Sequence, residues 1–321
     1  MTRPGLVLYI GRRILALVAL IFVISFVVFS LLYLAPGSPE QVLLGARPST
    51  PETIAAIREE YHLNDPFLVQ YADWARDALH FDFGRSIRTN EPVVDAIADR
   101  FKLTLQLGGL AFLITVALGI PLGVLAAVRS RTSIDRGVVA LSVVGVSAPA
   151  FATGILLLYV FAVELGWFPV FGEGSGVIDR LQHLALPAIA LALTGMGLLL
   201  KLTRTAVIGS LDQDYVTFAR ARGISNHRVL TAYALRNALV PIITAAGLLL
   251  AYMLAGTVLV EVTFALPGLG SLLVDSVRTL DVPMVQALAI LIATLVVVVN
   301  LVADIVYVAV DPRISFARVK A

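Results

Sequence analysis

The most informative absence is that of cysteine, because the 321-residue chain contains none. A disulfide, a thiolate catalyst and a cysteine-ligated metal are therefore excluded. Charged residues are also scarce, at 14% of the chain against 59% hydrophobic residues, and the mean hydropathy is +0.91. This composition excludes an ordinary soluble domain and is typical of a protein that crosses a membrane several times. The net charge of only +2 gives no support to a nucleic-acid partner.

Lysine is nearly as rare, and its positions bear on ATP binding. The phosphate-binding loop of ATPases needs Gly-x-x-x-x-Gly-Lys-Ser/Thr, whose backbone amides and lysine hold the phosphates. Lys102, Lys201 and Lys320 follow a phenylalanine, a leucine and a valine, so the sequence has no Gly-Lys pair. We therefore predict that the chain is not an enzyme and uses no cofactor.

The apolar stretches contain almost no ionisable residue. Coupled carriers place acids or histidines at mid-membrane, where such groups are costly unless they function. Here Glu164, Glu261 and Asp304 fall near the ends of apolar stretches, where a structural role is the commoner one. The four histidines have no metal-ligand spacing, and no metal site is predicted. A stand-alone secondary carrier or channel remains the alternative function, and these clean stretches disfavour it.

Six apolar stretches are long enough to cross the ~30 Å hydrocarbon layer of a membrane. They lie at about 9–34, 103–128, 137–165, 184–200, 238–264 and 284–310. The first exceeds the ~7–15 residues of a signal-peptide core, and no A-x-A site follows it, so we predict that it is a membrane span. Arginine and lysine concentrate in alternate connections, which predicts that both termini are cytoplasmic.

Residues 35–100 form the longest polar stretch and are predicted to be a small external helical subdomain after the first span. Helices are expected over 50–61, where Pro51 suits the first turn, and over 66–78. Two interpretations apply to its aromatic residues. They contact a ligand or a docking protein, or they form the core of the subdomain and lean on the membrane surface, which is the commoner case. They are Tyr61, Phe67, Tyr71, Trp74, Phe81 and Phe83.

The polar stretch 204–236 is predicted to be two short helices joined at Gly223. Asp212 or Asp214 is expected to cap the first helix through its side chain, and Ser225 the second. The second helix carries an apolar stripe, and because no other segment on that side of the membrane is large enough to cover it, another subunit is predicted to do so. The stripe consists of Val229, Leu230, Tyr233, Ala234 and Leu235.

Residues 214–223 (DYVTFARARG) and 234–241 (ALRNALVP) resemble the cytoplasmic coupling motif of ABC importer inner-membrane permeases. The likeness is to the first-permease, or B-type, form of the dipeptide/oligopeptide (and nickel) branch. It covers nearly the whole chain, since eight further stretches occur in the expected order. They are 81–86 (FDFGRS), 119–123 (GIPLG), 147–151 (SAPAF), 166–169 (GWFP), 186–188 (LPA), 261–264 (EVTF), 266–270 (LPGLG) and 311–313 (DPR).

The resemblance implies a type I importer permease fold with six transmembrane helices, in which the two-helix element docks in a groove on the ATPase. The general motif begins Glu-Ala-Ala, and Thr217, Phe218 and Ala219 stand in those places here. A role for the glutamate is therefore not carried over, whereas the alanine and the glycine correspond to Ala219 and Gly223. The implied ATPase-coupling residues are Asp214, Tyr215, Ala219, Ala221, Gly223, Val229, Tyr233, Arg236 and Pro241.

Two other interpretations of this stretch are less favoured than coupling. A helix-turn-helix for DNA is disfavoured because the adjoining spans leave no room for a duplex. A solvated, arginine-rich connector does not account for the apolar stripe.

The resemblance also implies partners and a location. The partners are a second homologous permease, two ATP-binding subunits, an outer substrate-binding protein, membrane lipid and a di- or oligopeptide substrate. The location is the bacterial cytoplasmic (inner) membrane, with multiple passes. The predicted organisation is an N-terminal segment and first span (1–34), the external subdomain (35–100), a five-helix permease core with the coupling loop (101–310) and a cytoplasmic tail (311–321). The sequence does not identify the residues of the substrate path.

Overall fold

The computed structural model describes residues 3–34, 37–44 and 49–310, without the side chains of 3–10, 60 and 307–310. The predicted tail 311–321, with its DPR motif at 311–313, lies outside the described residues. Within the described part, the only β-type pairing outside the helices is an isolated bridge between Arg85 and Pro92. The predicted all-α fold is therefore confirmed.

The helices are numbered in chain order. They are α1 (Arg3–Leu34), α2 (Pro39–Leu44), α3 (Pro51–Glu60), α4 (Phe67–Leu79), α5 (Val93–Val128), α6 (Ser133–Ser147), α7 (Ala150–Leu157), α8 (Gly176–Leu211), α9 (Asp214–Ala221), α10 (Asn226–Arg228), α11 (Leu235–Thr263), α12 (Leu269–Arg278) and α13 (Val282–Val310). Two π-helical segments, Leu158–Glu164 and Val229–Ala234, continue α7 and α10.

Five of the predicted spans are long apolar helices, and the sixth is broken. The stretch 137–165 was expected to be one span, but α6 and α7 with its π-helical continuation meet at 103°. The break has a local cause, because Pro149 has no N–H to donate and disfavours the helical conformation in the residue before it. Ala148 accordingly takes an extended conformation, with φ −92° and ψ 119°. The count of six holds only if this bent pair is one span.

Several helices are longer than the spans predicted within them. Helix α8 has 36 residues, and α10, its π-helical continuation and α11 form one continuous helix of 38 residues, Asn226–Thr263. At ~1.5 Å per residue these helices measure about 54 and 57 Å, well over the ~30 Å of the hydrocarbon layer. Much of the stretch 204–236 is therefore helical extension of two spans, and the second predicted short helix is not a separate element.

One compact unit of the described residues comprises Leu105–Leu266 and residues 298–310. Its centre is α8, which packs against α6, α7 and α11. Glycines allow the close approach: a Cβ on Gly123 would lie 2.7 Å from the Leu200 carbonyl oxygen, and one on Gly197 would lie 2.5 Å from that of Ser142. The predicted GIPLG stretch is thus a helix-packing surface.

The other unit comprises Thr2–Thr104 and Pro267–Val297. Thr50 caps α3 in a capping box with Thr53, and Pro51 occupies its first turn, as predicted. An aromatic cluster joins α4 to α1, and its contacts include edge-to-face pairs of Tyr71 with Phe22 and Phe26. The hydroxyls of Tyr71 and Ser25 lie 2.8 Å apart.

Five of the six aromatic residues singled out in 35–100 are packed against neighbours within this unit. Phe67, Tyr71 and Trp74 belong to the aromatic cluster, while Phe83 and Tyr61 pack against buried apolar side chains. The core interpretation is confirmed for these five. Phe81 does not belong to this core, because it is 75% exposed.

Candidate coupling site

The residues predicted to couple to an ATPase lie on three consecutive elements. Asp214, Tyr215, Ala219 and Ala221 are in α9, and Gly223 follows that helix. The remaining four lie along the continuous helix Asn226–Thr263: Val229 and Tyr233 in its π-helical segment, Arg236 and Pro241 in α11. The structure brings Ala219, Val229 and Tyr233 into one apolar cluster.

The turn after α9 explains why a glycine occupies position 223. Gly223 has φ +75°, in the left-handed region that glycine tolerates. Its N–H donates to the Arg220 carbonyl at 2.9 Å, and the Ile224 N–H donates to the Ala219 carbonyl at 3.2 Å. This pair of bonds is a Schellman motif, which satisfies carbonyls that a helix end would leave unpaired. The Ile224 side chain then packs onto the cluster around Ala219.

The predicted helix caps are wrong in detail. Asp212 terminates α8, its N–H donating to the Ile208 carbonyl, and Asp214 is already the first residue of α9. The N-cap of α9 is Gln213, without a side-chain cap bond. Ser225 does occupy the N-cap of α10, but its hydroxyl forms no cap bond either. Packing and the Schellman turn hold these helix starts. Helix α8 runs longer than its apolar stretch, so Asp212 lies at the end of α8 and not at the start of α9.

The predicted requirement for another subunit to cover the apolar stripe is also wrong. Val229 is 1% exposed, because Val216 and Ala219 of α9 pack against it. Leu230 and Leu235 pack in a second cluster with apolar residues of α8 and α11. The short helix α9 therefore folds back over the stripe, and the two sides of the loop cover each other.

What remains uncovered is the opposite face of α9. Val216 and Ala219 point inward, and with a period of about 3.6 residues this turns Tyr215 and Phe218 outward. Phe218 is 69% exposed and Tyr215 is 36% exposed, while Asp214 and Ala221 beside them are also exposed. Phe218 is absent from the residues predicted from the sequence, because it stands where the general motif has an alanine. The helical period of 214–221 alone would have identified it.

Tyr215 also holds the loop together. Its hydroxyl donates to the Ser210 carbonyl at 3.3 Å and accepts from the Asn237 side-chain amide at 3.0 Å. The same amide nitrogen donates to the Tyr233 carbonyl at 2.8 Å. Tyr215 therefore links the end of α8 to the start of α11, and Asn237 is a second residue that sequence reasoning missed.

An ion pair fixes α8 just before the loop. The Arg204 guanidinium donates to both Asp135 carboxylate oxygens, at 2.6 and 2.8 Å. Asp135, in the first turn of α6, also accepts from the Arg131 N–H at 2.8 Å. The bidentate geometry is a strong form of hydrogen bonding, and the Asp135 side chain is 6% exposed. The connection between α5 and α6 is thereby tied to the segment of α8 that leads into α9.

Long apolar helices with a short helix folded at the polar end of α8 are the fold of a multi-pass membrane protein. Solved structures with this fold include the MetNI methionine ABC transporter in inward-facing conformations, at TM-score 0.56 and 18% identity over 67% of this chain and 96% of that chain. An amino acid ABC transporter matches at TM-score 0.51 and 18% identity over 69% and 95%. These likenesses show the fold alone, and it is the predicted type I permease fold.

Family models and curated relatives cover nearly the whole chain. Residues 119–316 match the family "Binding-protein-dependent transport system inner membrane component", and residues 6–108 match the N-terminal part of such components. The chain therefore belongs to this family, as the resemblance predicted, and is a multi-pass membrane protein.

Three relatives illustrate the similarity. A probable peptide ABC transporter permease protein of Sinorhizobium fredii is 39% identical over 96% of this chain and 99% of that protein. The oligopeptide transport system permease protein AppB of Bacillus subtilis is 40% identical over the same shares. The glutathione transport system permease protein GsiC of Escherichia coli K12 is 36% identical, again over 96% and 99%.

Proposed function

We propose that this chain is the first permease subunit of an ATP-driven importer of di- or oligopeptides in the bacterial inner membrane. It would form the translocation path with a second homologous permease and receive substrate from an outer binding protein. Two ATP-binding subunits would hydrolyse ATP, because the chain has no Gly-Lys pair from which to build a phosphate-binding loop. The substrate class is supported by relatives named as peptide and oligopeptide permeases at 39–40% identity.

The observation that carries the coupling proposal is the exposure of Phe218 on a helix whose other face is fully packed. A large aromatic side chain that projects from a rigid support is the kind of residue that anchors protein interfaces. We propose that Phe218 inserts into the ATPase groove, flanked by Asp214, Tyr215 and Ala221. Ala219, Val229 and Tyr233 would act from behind, by holding α9 in place.

The contacts around α9 would transmit a movement of this helix to the membrane spans. The Schellman turn at Gly223 joins α9 to the continuous helix that follows. Tyr215 bonds to both sides of the loop, and Arg204 ties α8 to Asp135 on α6. A displacement of α9 by the ATPases would therefore move three spans as a body, as alternating access requires. Arg236 and Pro241 lie further along the helix and would act on its orientation.

The test replaces Phe218 by alanine in the assembled transporter. Loss of the anchor should weaken co-purification of the ATP-binding subunits by about tenfold, about 1.4 kcal/mol, and lower peptide uptake in parallel. Phe171→Ala is the matched control, because Phe171 is 74% exposed in a segment predicted to be external. Full coupling and uptake by the Phe218→Ala protein would contradict the assignment.

The proposed orientation, with both termini cytoplasmic, is tested by cysteine labelling without background, because the chain has no native cysteine. Asn64→Cys should react with an impermeant maleimide in intact spheroplasts, and Ser225→Cys only after permeabilisation. Both positions are exposed. Ser86 is unsuitable, because it is buried and its hydroxyl donates to the Asp281 carboxylate. Labelling of both variants from the same side would refute the topology.

A further inference from the structure

A cavity of about 220 Å³ lies within the unit formed by Thr2–Thr104 and Pro267–Val297, apart from the coupling site. Its lining includes three carboxylates, Asp73, Asp77 and Asp82, but neither lysine nor arginine. His62 also lines the cavity, and its ring nitrogen lies 3.8 Å from the Asp65 carboxylate. The cavity is therefore an acidic environment with no built-in counter-charge.

Two of these carboxylates are available to a ligand. Asp73 and Asp77 are four residues apart on α4, which places them on one face of the helix, where like charges repel. Within the described part of the chain, neither carboxylate forms a hydrogen bond or ion pair, whereas Asp82 accepts from the Gly84 N–H at 3.0 Å. A cation in the cavity would relieve the repulsion.

A buried amide supplies a second and independent observation. Gln286 lines the cavity and is 5% exposed. Its amide nitrogen reaches the carbonyls of Val28 and Phe29 only at 3.5 Å, and its carbonyl oxygen accepts no hydrogen bond from any described residue. Gln70, the other buried amide of the lining, is fully engaged by Tyr33 and by backbone carbonyls. Gln286 therefore presents an unused acceptor in the lining of the cavity.

The residues that line the cavity determine which kind of cation fits. Phe29, Tyr61, Trp74 and Phe83 line the cavity, and aromatic faces attract organic ammonium groups. Among the described residues, no group of three His, Asp or Glu side chains is arranged to hold a metal ion. The volume is below the ~300–1,000 Å³ of sites that enclose whole small molecules, so it suits one functional group.

We propose that this cavity binds a primary ammonium group, with Asp73 and Asp77 as counter-ions, Gln286 as hydrogen-bond acceptor and Trp74 as aromatic wall. Two sources share this chemistry: the amino terminus of a soluble peptide, and the ethanolamine headgroup of a lipid reached through the apolar α1 and α13 residues of the lining, among them Leu32 and Val282. The proposal does not depend on the coupling assignment or on the substrate of transport.

The experiment uses the full chain with Trp167→Phe, which leaves Trp74 as the only tryptophan. The protein is reconstituted in nanodiscs of phosphatidylglycerol, a lipid without an amine, and Trp74 emission is followed while dialanine or N-acetyl-dialanine is added. A second set of nanodiscs contains phosphatidylethanolamine. We expect a saturable change with dialanine, or a shift in emission with phosphatidylethanolamine, and no change with the acetylated peptide.

Variants connect any response to the cavity. Asp73→Asn with Asp77→Asn, which preserves shape, should weaken the response at least about tenfold, and Gln286→Leu should weaken it less. Asp99→Asn is the control, because Asp99 is exposed and does not line the cavity. A response to dialanine identifies a soluble amine, and one confined to phosphatidylethanolamine identifies the lipid. No response to either, an equal response to N-acetyl-dialanine, or persistence in the Asp and Gln variants would overturn the proposal.

Discussion

Helices α8 and α13 both qualify as membrane spans, yet they differ in how much of each the chain itself covers. In the most apolar window of α8, 67% of residues are buried inside the chain, against 6% in that of α13. The order of hydropathy is the reverse, since α8 is the least apolar of the five long spans and α1 and α13 are the most apolar. In a membrane, hydropathy therefore tracks the surface left for lipid or partners, and close packing depends on small residues.

The largest expected effect comes from filling the tightest contact of α8 with the backbone of another helix. Gly197→Val would place a Cβ 2.5 Å from the Ser142 backbone carbonyl oxygen, so the two helices would have to separate. We expect destabilisation of about 3 kcal/mol, measured as thermal unfolding in detergent by size-exclusion chromatography. Gly109→Val, on α5, meets no atom within 4 Å and serves as the control. Equal melting temperatures for both variants would contradict the importance of close approach.

Two neighbouring leucines on α8 sharpen the same comparison. Leu199 is completely buried, whereas Leu198 is 40% exposed. Leu199→Ala should cost about 2–4 kcal/mol through lost packing and the cavity left behind, and Leu198→Ala less than about 1 kcal/mol. The measurement is again thermal unfolding in one detergent. A larger loss from Leu198→Ala would show that a partner chain covers that side of the helix.

The polar end of α8 depends on Arg204. Arg204→Ala would leave the Asp135 carboxylate without its bidentate partner, at a cost of about 2 kcal/mol. Arg136→Ala should be nearly neutral, because Arg136 is exposed on the same turn as Asp135. Replacing Asp135 and Arg204 together should recover part of the lost stability. If the losses from Asp135→Ala and Arg204→Ala simply add in the double variant, the pair is not coupled.

The smallest expected effect is at Gly223. A Cβ there meets no atom within 4 Å, so Gly223→Ala would carry only the backbone cost of a left-handed residue, about 1 kcal/mol. Hydrogen exchange of residues 219–224 should speed up while global unfolding barely changes. Gly209→Ala, inside α8 and equally uncrowded, should be neutral or stabilising. Exchange at 219–224 that is unchanged in Gly223→Ala would contradict the account of the turn.

The features predictable from the sequence are those that local physics determines. Apolar length located the spans, Thr50 and Pro51 marked the start of α3, and Gly223 marked a left-handed turn. The break at Pro149 was equally local, but its meaning was not clear, because proline also occurs inside the continuous helices α5, α8 and α11. Whether a proline kinks or breaks a span depends on which neighbours replace the lost bond.

The candidate site was harder to predict because its contacts cross long distances in the chain. Arg204 and Asp135 are 69 residues apart, and sequence patterns do not pair them. The sequence predicts the stripe around Val229, but no other segment of the chain was expected to be large enough to cover it. Two small inward side chains, Val216 and Ala219, proved sufficient, and that left Phe218 as the outward residue.

The continuity of Asn226–Thr263 makes it a lever. At ~1.5 Å per residue its 38 residues span about 57 Å. A rotation of about 5° at the end nearest Gly223 would therefore displace Thr263 by about 5 Å. The wide π-helical turn at Val229–Ala234 and the missing hydrogen bond at Pro241 are the places where this lever can flex. The stiffness of the helix on either side of Val229–Ala234 and Pro241 determines how much of a small rotation near Gly223 reaches Thr263.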